Sequence, residues 1–580
     1  MSSVAFRSAL AMAVLLPMTV LMGAAFPPGK PRIRSILFPW SADAHCSRPG
    51  RGKTQTMNFN LANPFFRQSQ LRPDQIALSI DGRTWSYAGL RARAQRISSW
   101  LTAAGTQTPA RVGILASRSI ETYAGILGAC WSGAAYVPIS IKLPEERLAA
   151  IFERTRLDAL ITDPAGLALL TPTLLGILPG RILSPEPNSS MPNLGKNLQQ
   201  LFNWERLPPF DEADEPRGMD QSSLAYIIFT SGTSGMPKGV MISTGNVRNF
   251  IDSIQERYRF QPDDRVAQPS EVSFDNSVFD LFNAWEAGAA LYVVPLNQLL
   301  GPLRFMQQNA ITVWYSVPSI AVSMQRMKLL RPGSLPSLRY SAFAGEALPL
   351  TTAEAWRSAA VHSVVDCLYG PTETTVVCTG DRFSDAPHVT GSRGIISIGK
   401  PFPGMDAAIV DSARNVVPQG QEGELAFSGK QVALGYFEND ALTQSRFPMI
   451  GARRWYLTGD LAYQDEQGLF HHLGRVDNQV KIQGNRVELE EVEAHMRAAC
   501  GSDSVAAVAW PMRFGTAAKL IGFVCGATTC APDALNVLKR RLPPYMVPAR
   551  IHELQTLPAS ANGKIDRQAL ARMLDENFLP

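Results

Sequence analysis

The feature that most constrains the fold is a regular exchange of short apolar runs with longer amphipathic runs between about Pro64 and Leu473. Residues 111–117 (RVGILAS) are typical of a buried strand, residues 119–135 (SIETYAGILGACWSGAA) of a helix, and residues 135–140 (AYVPIS) of another strand. Strands that are separated by helices favour parallel pairing, because a parallel crossover needs a connection of about that length. The sequence therefore predicts an α/β fold with mainly parallel sheets and flanking helices.

The pattern changes near residue 474, where a charged segment leads into a stretch with its own strand-like and helical runs. A chain of 580 residues is also too long for one hydrophobic core. We expect a large domain over residues 57–475 and a small α+β lid domain over residues 476–580, joined by a hinge at Asp477.

Composition narrows the class of protein. A net charge of +5 over this length argues against a nucleic-acid-binding protein, which would carry a dense basic face. The seven cysteines are scattered and form no CxxC pair, which favours a reduced protein without a zinc site or a disulfide framework. After residue 26, no stretch is apolar and long enough to span a bilayer, so we expect no membrane partner.

The chemistry begins at residues 224–240 (LAYIIFTSGTSGMPKGV), where an apolar run ends in a loop of glycines and hydroxyls that is followed by Lys238. Glycines let backbone N–H groups approach a polyphosphate, hydroxyls add donors, and the lysine adds positive charge. The spacing differs from the G-x-x-x-x-G-K-[ST] pattern of P-loop proteins. Taken alone, the loop is therefore as consistent with a flexible surface loop as with a phosphate site. The loop residues are Thr230, Ser231, Gly232, Thr233, Ser234 and Gly235.

Distant segments favour the phosphate site. TSGTSGMPKG resembles the phosphate-binding signature of the adenylate-forming superfamily, which includes acyl-CoA synthetases, luciferases, adenylation domains of nonribosomal peptide synthetases and D-alanine–carrier protein ligases. Further matches follow in the family's order, and together they cover about residues 60–575. These matches are GAAYVPIS (133–140), FDNSVFDLF (274–282), FAGEALP (343–349), YGPTETTV (369–376), GELAFSG (423–429), YLTGDLA (456–462), GRVDNQVKIQGNRVELEEVE (474–493) and NGKIDRQAL (562–570).

The resemblance implies ATP and Mg²⁺ as ligands and gives the matching residues their roles. Tyr369 would stack on adenine, Asp460 would accept the ribose hydroxyls, and Arg475 would contact the ribose and phosphate region. Glu373 and Thr230 would hold Mg²⁺ beside the phosphates. The other ATP contacts that the resemblance implies are Gly345, Glu346, Cys367, Leu368, Gly370, Pro371, Thr372 and Gly474.

The resemblance makes Lys564, in the NGKID motif, the main catalytic candidate. A substrate carboxylate attacks the α-phosphate of ATP and pyrophosphate leaves, so a cation is needed where anionic charge builds up. Lys238, the second catalytic candidate, would help neutralise the leaving pyrophosphate. After adenylation the small domain would swing about Asp477, withdraw Lys564 and open a channel for a thiol.

Asp275, in FDNSVFDLF, carries the substrate information. In adenylation domains for amino acids the matching acid pairs with the substrate α-ammonium, whereas acyl-CoA synthetases generally lack it. The alternative for an Asp at the start of a helix is a capping role. The resemblance places the side-chain wall of the pocket at Asn276, Phe279, Tyr315, Ala342, Ala344, Leu368, Val376 and Val377.

Apart from Asp275 this wall is uncharged, so we expect a neutral amino acid, and the two alanines suggest room for more than glycine. Several segments also resemble stand-alone D-alanine ligases, but Ala344 stands where those enzymes usually carry a cysteine. Because no carrier domain follows Leu570, we expect transfer to a separate phosphopantetheinylated carrier protein. The alternatives are a carboxylate–CoA ligase and a non-catalytic AMP-binding relative.

The N-terminus leaves two interpretations of residues 1–56 open. Arg7 precedes an apolar stretch, residues 9–26, which ends in small residues and resembles a secretory signal. The other interpretation is a disordered or wrongly assigned extension ahead of a natural start at Met57. We favour the second, and with it a cytoplasmic location, because the expected reaction consumes ATP.

Overall fold

A computed structural model describes residues 59–103, 109–185, 201–211, 213–232, 236–559 and 565–576. The signal-like stretch and the rest of residues 1–56 lie outside the described residues. The same holds for four of the predicted site residues, which are Thr233, Ser234, Gly235 and Lys564.

The helices of the described residues are mostly short and amphipathic, and in α4 the acidic residues Glu145 and Glu146 lie in the first turn, where they complement the helix dipole. The helices are α1 (Asn63–Leu71), α2 (Tyr87–Leu101), α3 (Ile120–Trp131), α4 (Glu145–Thr155), α5 (Pro164–Leu167), α6 (Pro172–Leu175), α7 (Thr244–Tyr258), α8 (Asn276–Ala287), α9 (Leu303–Gln308), α10 (Pro318–Arg326), α11 (Leu350–Ala359), α12 (Asp440–Arg446), α13 (Leu489–Cys500), α14 (Ala531–Arg541) and α15 (Arg567–Asp575).

The strands of the described residues are short, and many of the central ones are buried along their whole length. They are β1 (Ile76–Ile80), β2 (Arg83–Ser86), β3 (Arg111–Leu115), β4 (Ala135–Ile139), β5 (Ala159–Thr162), β6 (Ile182–Ser184), β7 (Leu201–Asn203), β8 (Leu224–Thr230), β9 (Lys238–Ser243), β10 (Arg265–Gln268), β11 (Ala290–Val293), β12 (Val313–Ser316), β13 (Tyr340–Phe343), β14 (Val364–Tyr369), β15 (Thr379–Arg382), β16 (Val389–Thr390), β17 (Ile395–Ile396), β18 (Lys400–Pro401), β19 (Met405–Val410), β20 (Gly423–Gly429), β21 (Gly435–Tyr436), β22 (Met449–Ile450), β23 (Arg453–Arg454), β24 (Tyr456–Gln464), β25 (Phe470–Arg475), β26 (Gln479–Ile482), β27 (Asn485–Glu488), β28 (Val505–Arg513), β29 (Thr516–Cys525) and β30 (Ile551–Leu554).

Two large sheets carry most of the fold. One has nine strands in the order β18-β15-β14-β13-β12-β10-β11-β1-β2, and the other has eight in the order β21-β9-β8-β4-β3-β5-β6-β7. The central pairs of both sheets are parallel. Antiparallel strands lie at both ends of the nine-stranded sheet and at the β21 end of the eight-stranded one, whereas β7 at its other end is parallel to β6. Strands such as β4, in which all five residues are buried, need apolar side chains on both faces because helices cover both sides. The predicted α/β class with mainly parallel sheets is therefore confirmed.

The rest of the chain forms smaller sheets. Strands β19, β20, β24 and β25 make an antiparallel sheet, and β26 to β30 make a mixed sheet that packs against α13, α14 and α15. The C-terminal sheet and helices contain hydrophobic clusters of their own, centred on residues such as Val492, Leu520 and Phe523. The expected α+β character of the C-terminal region is thus present. The domain boundary at 475/476 and the mobility of the lid stay predictions.

Two further expectations concern the whole chain. Across the described residues, no helix combines the length and the apolar character needed to cross a bilayer. The six cysteines within this part of the chain are free thiols.

A buried ion pair fixes the strand that leads to the candidate site. Asp366 lies on β14 with no exposed surface, and Arg257 donates to both of its oxygens, from Nε at 2.8 Å and from a terminal nitrogen at 3.0 Å. Arg382 adds a longer contact of 3.4 Å. Because the carboxylate is buried, both arginines depend on it for the pairing of their charges.

We expect Asp366→Ala to lower the free energy of unfolding by about 3 kcal/mol, because it leaves arginine charge beside the core without a partner. Equilibrium unfolding in urea measures this loss. The control is Asp385→Ala, which breaks the exposed pair with Arg357 and should cost less than about 1 kcal/mol. Equal effects of the two substitutions would contradict the prediction.

Candidate active site

A cavity of about 140 Å³ lies where β8 and β14 end, next to the C-terminal sheet. Ligands of parallel α/β sheets commonly bind at the carboxyl ends of the strands, since the loops that follow those strands meet there. Eleven of the residues predicted from the sequence line the cavity. They are Thr230, Ser231, Asp275, Asn276, Gly345, Tyr369, Gly370, Pro371, Thr372, Asp460 and Arg475.

One side of the cavity joins the predicted adenine and ribose contacts. The Tyr369 hydroxyl donates a hydrogen bond to Asp460 Oδ2, and an Arg475 terminal nitrogen donates to Asp460 Oδ1 at 2.8 Å. His472 Nε2 lies 3.2 Å from the same Oδ1. Burial opposes the charge on Asp460, but the Arg475 guanidinium and the His472 hydrogen bond outweigh it and hold the pKa of that carboxyl well below its usual range. Asp460 is therefore an ionised acceptor, which suits hydroxyl groups.

The residue before Asp460, which lies within β24, has to be glycine. Gly459 has a φ of +75°, and a Cβ there would lie 2.5 Å from a terminal nitrogen of Arg475 and 2.8 Å from Asp477 Oδ2. Arg475 in turn donates two hydrogen bonds to Asp477, at 2.6 and 2.7 Å. The predicted hinge residue is thus tied directly to a residue of the cavity wall.

The opposite side is organised by Glu373, which has no exposed surface. Arg486 donates to its two oxygens at 2.9 and 3.1 Å, Tyr436 donates at 2.8 Å, and Lys238 Nζ lies 3.8 Å away. Burial alone would raise the pKa of the Glu373 carboxyl, but the Arg486 and Lys238 charges and the Tyr436 hydroxyl lower it to about 2. Glu373 is therefore ionised at any physiological pH.

Lys238 is a desolvated cation at the edge of this cluster. Its ammonium lies 3.6 Å from Glu488 as well as near Glu373, and 5.4 Å from the centre of the Tyr436 ring. Burial and the neighbouring Arg486 charge lower the pKa of Lys238 to about 8. The side chain is still mostly protonated at neutral pH, so it offers a phosphate group a cation that has already lost its water.

The predicted Mg²⁺ ligands fit the ion only in part. The Thr230 hydroxyl is buried and has no hydrogen-bond partner among the described residues, so its oxygen is available to bind a metal ion. Glu373, by contrast, already gives both oxygens to Arg486. In the part of the chain that the structure describes, no three acidic, histidine or cysteine side chains converge as a metal site. Mg²⁺ at this position would need the oxygens of the bound phosphates and the withdrawal of Arg486.

The C-terminal sheet contributes residues that the sequence analysis did not single out. Gln479, Lys481, Gly484 and Arg486 all line the cavity, and they come from β26, β27 and the turn between them. The signal was present in the alternation of polar and apolar residues along QVKIQGNRVE, which is typical of a hairpin with one polar face.

The same region contacts the phosphate loop directly. The Ser231 hydroxyl donates to the backbone carbonyl of Arg486 at 2.8 Å, and the Gly232 N–H donates to Glu491 Oε2 at 3.2 Å. Glu491 is also paired with Arg147 at 2.5 Å, and both side chains are buried. The loop predicted to hold phosphates is therefore in contact with a carboxylate of α13.

Asp275 lies at the start of α8 and faces the cavity. Burial, together with the nearby negative charge of Glu373, raises the pKa of Asp275 to about 6. Its side chain makes no capping hydrogen bond to α8, although that was the alternative role. No lysine, arginine or histidine among the described residues forms a salt bridge with it.

Other predicted residues lie beside the cavity and do not line it. Glu346 accepts hydrogen bonds from the Ser319 N–H at 2.8 Å and from the Thr516 hydroxyl at 2.9 Å, so it ties the nine-stranded sheet to β29. Cys367 is buried on β14, where burial raises the pKa of its thiol. The remaining ones that do not line the cavity are Gly232, Lys238, Phe279, Tyr315, Ala342, Ala344, Leu368, Glu373, Val376, Val377, Gly474 and Asp477.

A family model described as "AMP-binding enzyme" matches residues 65–437, which is more than half of the chain. The chain belongs to the AMP-binding enzyme family. It is an adenylate-forming enzyme, a class that uses ATP, and it is of the type found in nonribosomal peptide synthetases.

Relatives of this AMP-binding enzyme include both large synthetases and a single domain. Delta-poly-L-ornithine synthetase of Acinetobacter baumannii (strain AB307-0294) is 33% identical over 526 residues, which cover 88% of this chain and 36% of that protein. Tyrocidine synthase 3 of Brevibacillus parabrevis is 31% identical over 518 residues, covering 88% of this chain and 8% of that protein. The chain therefore spans well under half of the length of these two relatives.

Among solved structures, the Vibrio cholerae adenylation domain AlmE in complex with glycyl-adenosine-5'-phosphate is similar over its whole length. It is 32% identical with a TM-score of 0.81, and the match covers 91% of this chain and 100% of that chain.

We expect Glu373→Gln to lower the free energy of unfolding at pH 7 by about 3 kcal/mol, because Arg486 and Lys238 lose their shared counter-charge. The pKa of Glu373 is about 2 in the folded protein, below its ordinary value of 4.5. Its stabilisation is therefore complete above about pH 4.5 and is lost as the pH falls towards 2.

Urea unfolding of both proteins between pH 7 and pH 3 measures the effect, and the difference should shrink below about pH 4.5. The control is Glu354→Gln, which removes an exposed carboxylate on α11. A Glu373→Gln protein as stable as wild type at pH 7 would show that the buried cluster contributes nothing.

Proposed function

We propose that this chain uses ATP to convert a neutral amino acid into an aminoacyl-adenylate, and then transfers the aminoacyl group to the phosphopantetheine thiol of a separate carrier protein. We place the reaction in the cytoplasm, where ATP is available. The observation that carries the proposal is Asp275, a partly buried carboxylate that faces the cavity and forms no salt bridge with a basic side chain among the described residues.

A desolvated carboxylate without an ion-pair partner is unfavourable, and the raised pKa of about 6 reflects that desolvation, which the Thr372 hydrogen bond and the charge of Arg486 offset only in part. A substrate α-ammonium at this point would supply the missing positive charge and would restore full ionisation. A substrate acid without an amine would leave Asp275 unpaired and would place a second negative charge, the substrate carboxylate, near it. The position therefore selects for amino acids by charge.

In the first step, an oxygen of the amino acid carboxylate bonds to the α-phosphorus of ATP, the bond from that phosphorus to the bridging oxygen breaks, and pyrophosphate leaves. We assign Tyr369 to the adenine, Asp460 to the ribose hydroxyls, and Lys238 to the departing pyrophosphate. Mg²⁺, if held by the Thr230 hydroxyl and the phosphates, would supply positive charge that neutralises the pyrophosphate. Lys564 is proposed to stabilise the charge that builds up at the α-phosphate.

In the second step, a thiolate bonds to the acyl carbon, the bond from that carbon to the phosphate oxygen breaks, and AMP leaves. A second cavity of about 530 Å³ supports this step, because it shares Phe274, Asn276 and Gly484 with the first cavity. Its size is in the range of pockets that hold extended small molecules. We propose that the thiol arm of the carrier protein reaches the adenylate through it.

A carboxylate–CoA ligase is the alternative enzyme, since free coenzyme A carries the same thiol arm. The ammonium-binding role of Asp275 argues against it. The names of two relatives, one a poly-L-ornithine synthetase and one bound to a glycyl-adenylate, also favour an amino acid. A non-catalytic relative is disfavoured because Lys238, Glu373, Asp460 and Lys564 are all present.

The test is ATP–pyrophosphate exchange with a panel of neutral amino acids and amine-free acids. We expect exchange only with amino acids, and we expect Asp275→Asn to raise the amino acid KM by at least about tenfold because a charged hydrogen bond is lost. Asp385→Asn, a remote exposed acid, serves as the control. Exchange with amine-free acids alone, or an unchanged KM in Asp275→Asn, would favour the CoA ligase.

We expect Lys564→Ala to abolish exchange, while transfer from chemically prepared aminoacyl-AMP to a carrier thiol continues at a similar rate. The reason is that Lys564 is assigned to the first step alone. Lys539→Ala, which removes an exposed lysine of α14, is the matched control. If Lys564→Ala slows both steps equally, the side chain has a structural role.

A further inference from the structure

We propose that the amino acid this site accepts is a small one, glycine first, with alanine as the upper limit of size. The inference rests on the proposed function and names its substrate class. The observation behind it is the extent of the cavity of about 140 Å³. Asp275, Asn276 and Gly345 line this cavity, but the other residues of the predicted side-chain wall do not.

The predicted wall is packed solid. Phe279, Tyr315, Ala342, Ala344, Leu368, Val376 and Val377 are each 2% exposed or less, and all belong to one hydrophobic cluster. A pocket for a substrate side chain would leave some of this apolar surface facing an opening. These seven residues leave almost no surface for such an opening, and neither the 140 Å³ cavity nor the 530 Å³ cavity, which also contacts Asn276, is lined by any of them.

Two aromatic rings fill the space. Phe279 and Tyr315 stack with their ring centres 4.0 Å apart and an angle of 21° between their planes. The Tyr315 hydroxyl donates to Asn276 Oδ1 at 2.9 Å, and burial raises the pKa of this hydroxyl well above its ordinary value, so it stays a neutral donor. The hydrogen bond ties Asn276 to the stacked pair, and together they close the cavity next to Asp275.

Ala342, one of the two alanines that on sequence alone suggest room for a larger substrate, is explained by Tyr315. Ala342 lies directly opposite Tyr315 in the parallel pairing of β12 and β13. A small residue in register beside a large aromatic one lets the ring pack without a clash. The small volume of Ala342 therefore accommodates the tyrosine ring and not a ligand.

The backbone at Thr375, Val376 and Val377 is held by hydrogen bonds that prevent it from moving to make space for a larger substrate. Thr375 and Val376 have left-handed φ angles of +59° and +70°, which β-branched residues rarely adopt. Gln431, fully buried, donates from its amide to the carbonyl of Val377 at 2.8 Å and to that of Thr374 at 3.2 Å. The Thr375 hydroxyl donates back to the carbonyl of Gln431 at 2.7 Å. A larger side chain would have to break this network to gain space.

The experiment is ATP–pyrophosphate exchange by the full chain with glycine, L- and D-alanine, L-2-aminobutyrate, L-valine and L-leucine. We expect kcat/KM to be highest for glycine, to remain measurable for alanine, and to fall by about tenfold or more from alanine to 2-aminobutyrate and again to valine. Tyr315→Ala should raise the valine-to-glycine ratio of kcat/KM by at least about tenfold, because it opens the wall. Tyr315→Phe, which keeps the ring and loses the hydroxyl, should leave that ratio within about threefold.

Phe279→Leu is a second enlarging variant with a smaller disturbance of the core, and circular dichroism checks the fold of each protein. A wild-type preference for valine or leucine would overturn the inference and leave the proposed function intact. Exchange with amine-free acids alone would instead overturn the proposed function. An unchanged valine-to-glycine ratio in folded Tyr315→Ala and folded Phe279→Leu would overturn the assignment of the closure to these rings.

Discussion

The buried carboxylate of Glu373 is the interaction on which the arrangement of the site depends. It joins three separate parts of the chain, because Lys238 lies on β9, Tyr436 on β21 and Arg486 on β27. A fully desolvated negative charge is tolerated only with such partners, so each of these strands is held in place by the same group. The same carboxylate therefore holds the C-terminal sheet against the large domain and fixes the geometry of the candidate cavity.

The contact of Arg486 with Glu373 bears on the proposed Mg²⁺ site. The Arg486 guanidinium occupies the oxygens of Glu373 that a metal ion with phosphates would need. The carboxylate would keep a positive partner in either case, with the extra charge of Mg²⁺ balanced by the bound phosphates. The arrangement suits the part of the proposed cycle after pyrophosphate has left, when a wide cavity beside the adenylate site is useful for the thiol.

Much of the candidate site could be predicted from the sequence, because several of its residues lie at the ends of strands that are recognisable as short apolar runs. Tyr369 follows the apolar run of β14, and Asp460 and Arg475 lie on adjacent antiparallel strands, so local pattern brings them together. The contact of Arg486 with Glu373 could not be predicted in the same way, since it depends on how one sheet docks on another. The closure of the side-chain pocket could not be predicted either. Residue identities alone do not show that the ring of Tyr315 fills the volume beside a small neighbour such as Ala342.

The hydrogen bond from Gly232 to Glu491 has a consequence for the affinity of the nucleotide. The N–H of a phosphate loop is already satisfied by a carboxylate from the same chain, and Arg147 holds that carboxylate in place. The Glu491 carboxylate thus competes with any anion for this N–H group. Because it belongs to the same chain, its effective concentration is set by the covalent connection and is independent of protein concentration. In the proposed reaction, ATP would have to displace Glu491 from this N–H, so its apparent affinity would be weaker than the loop alone would give.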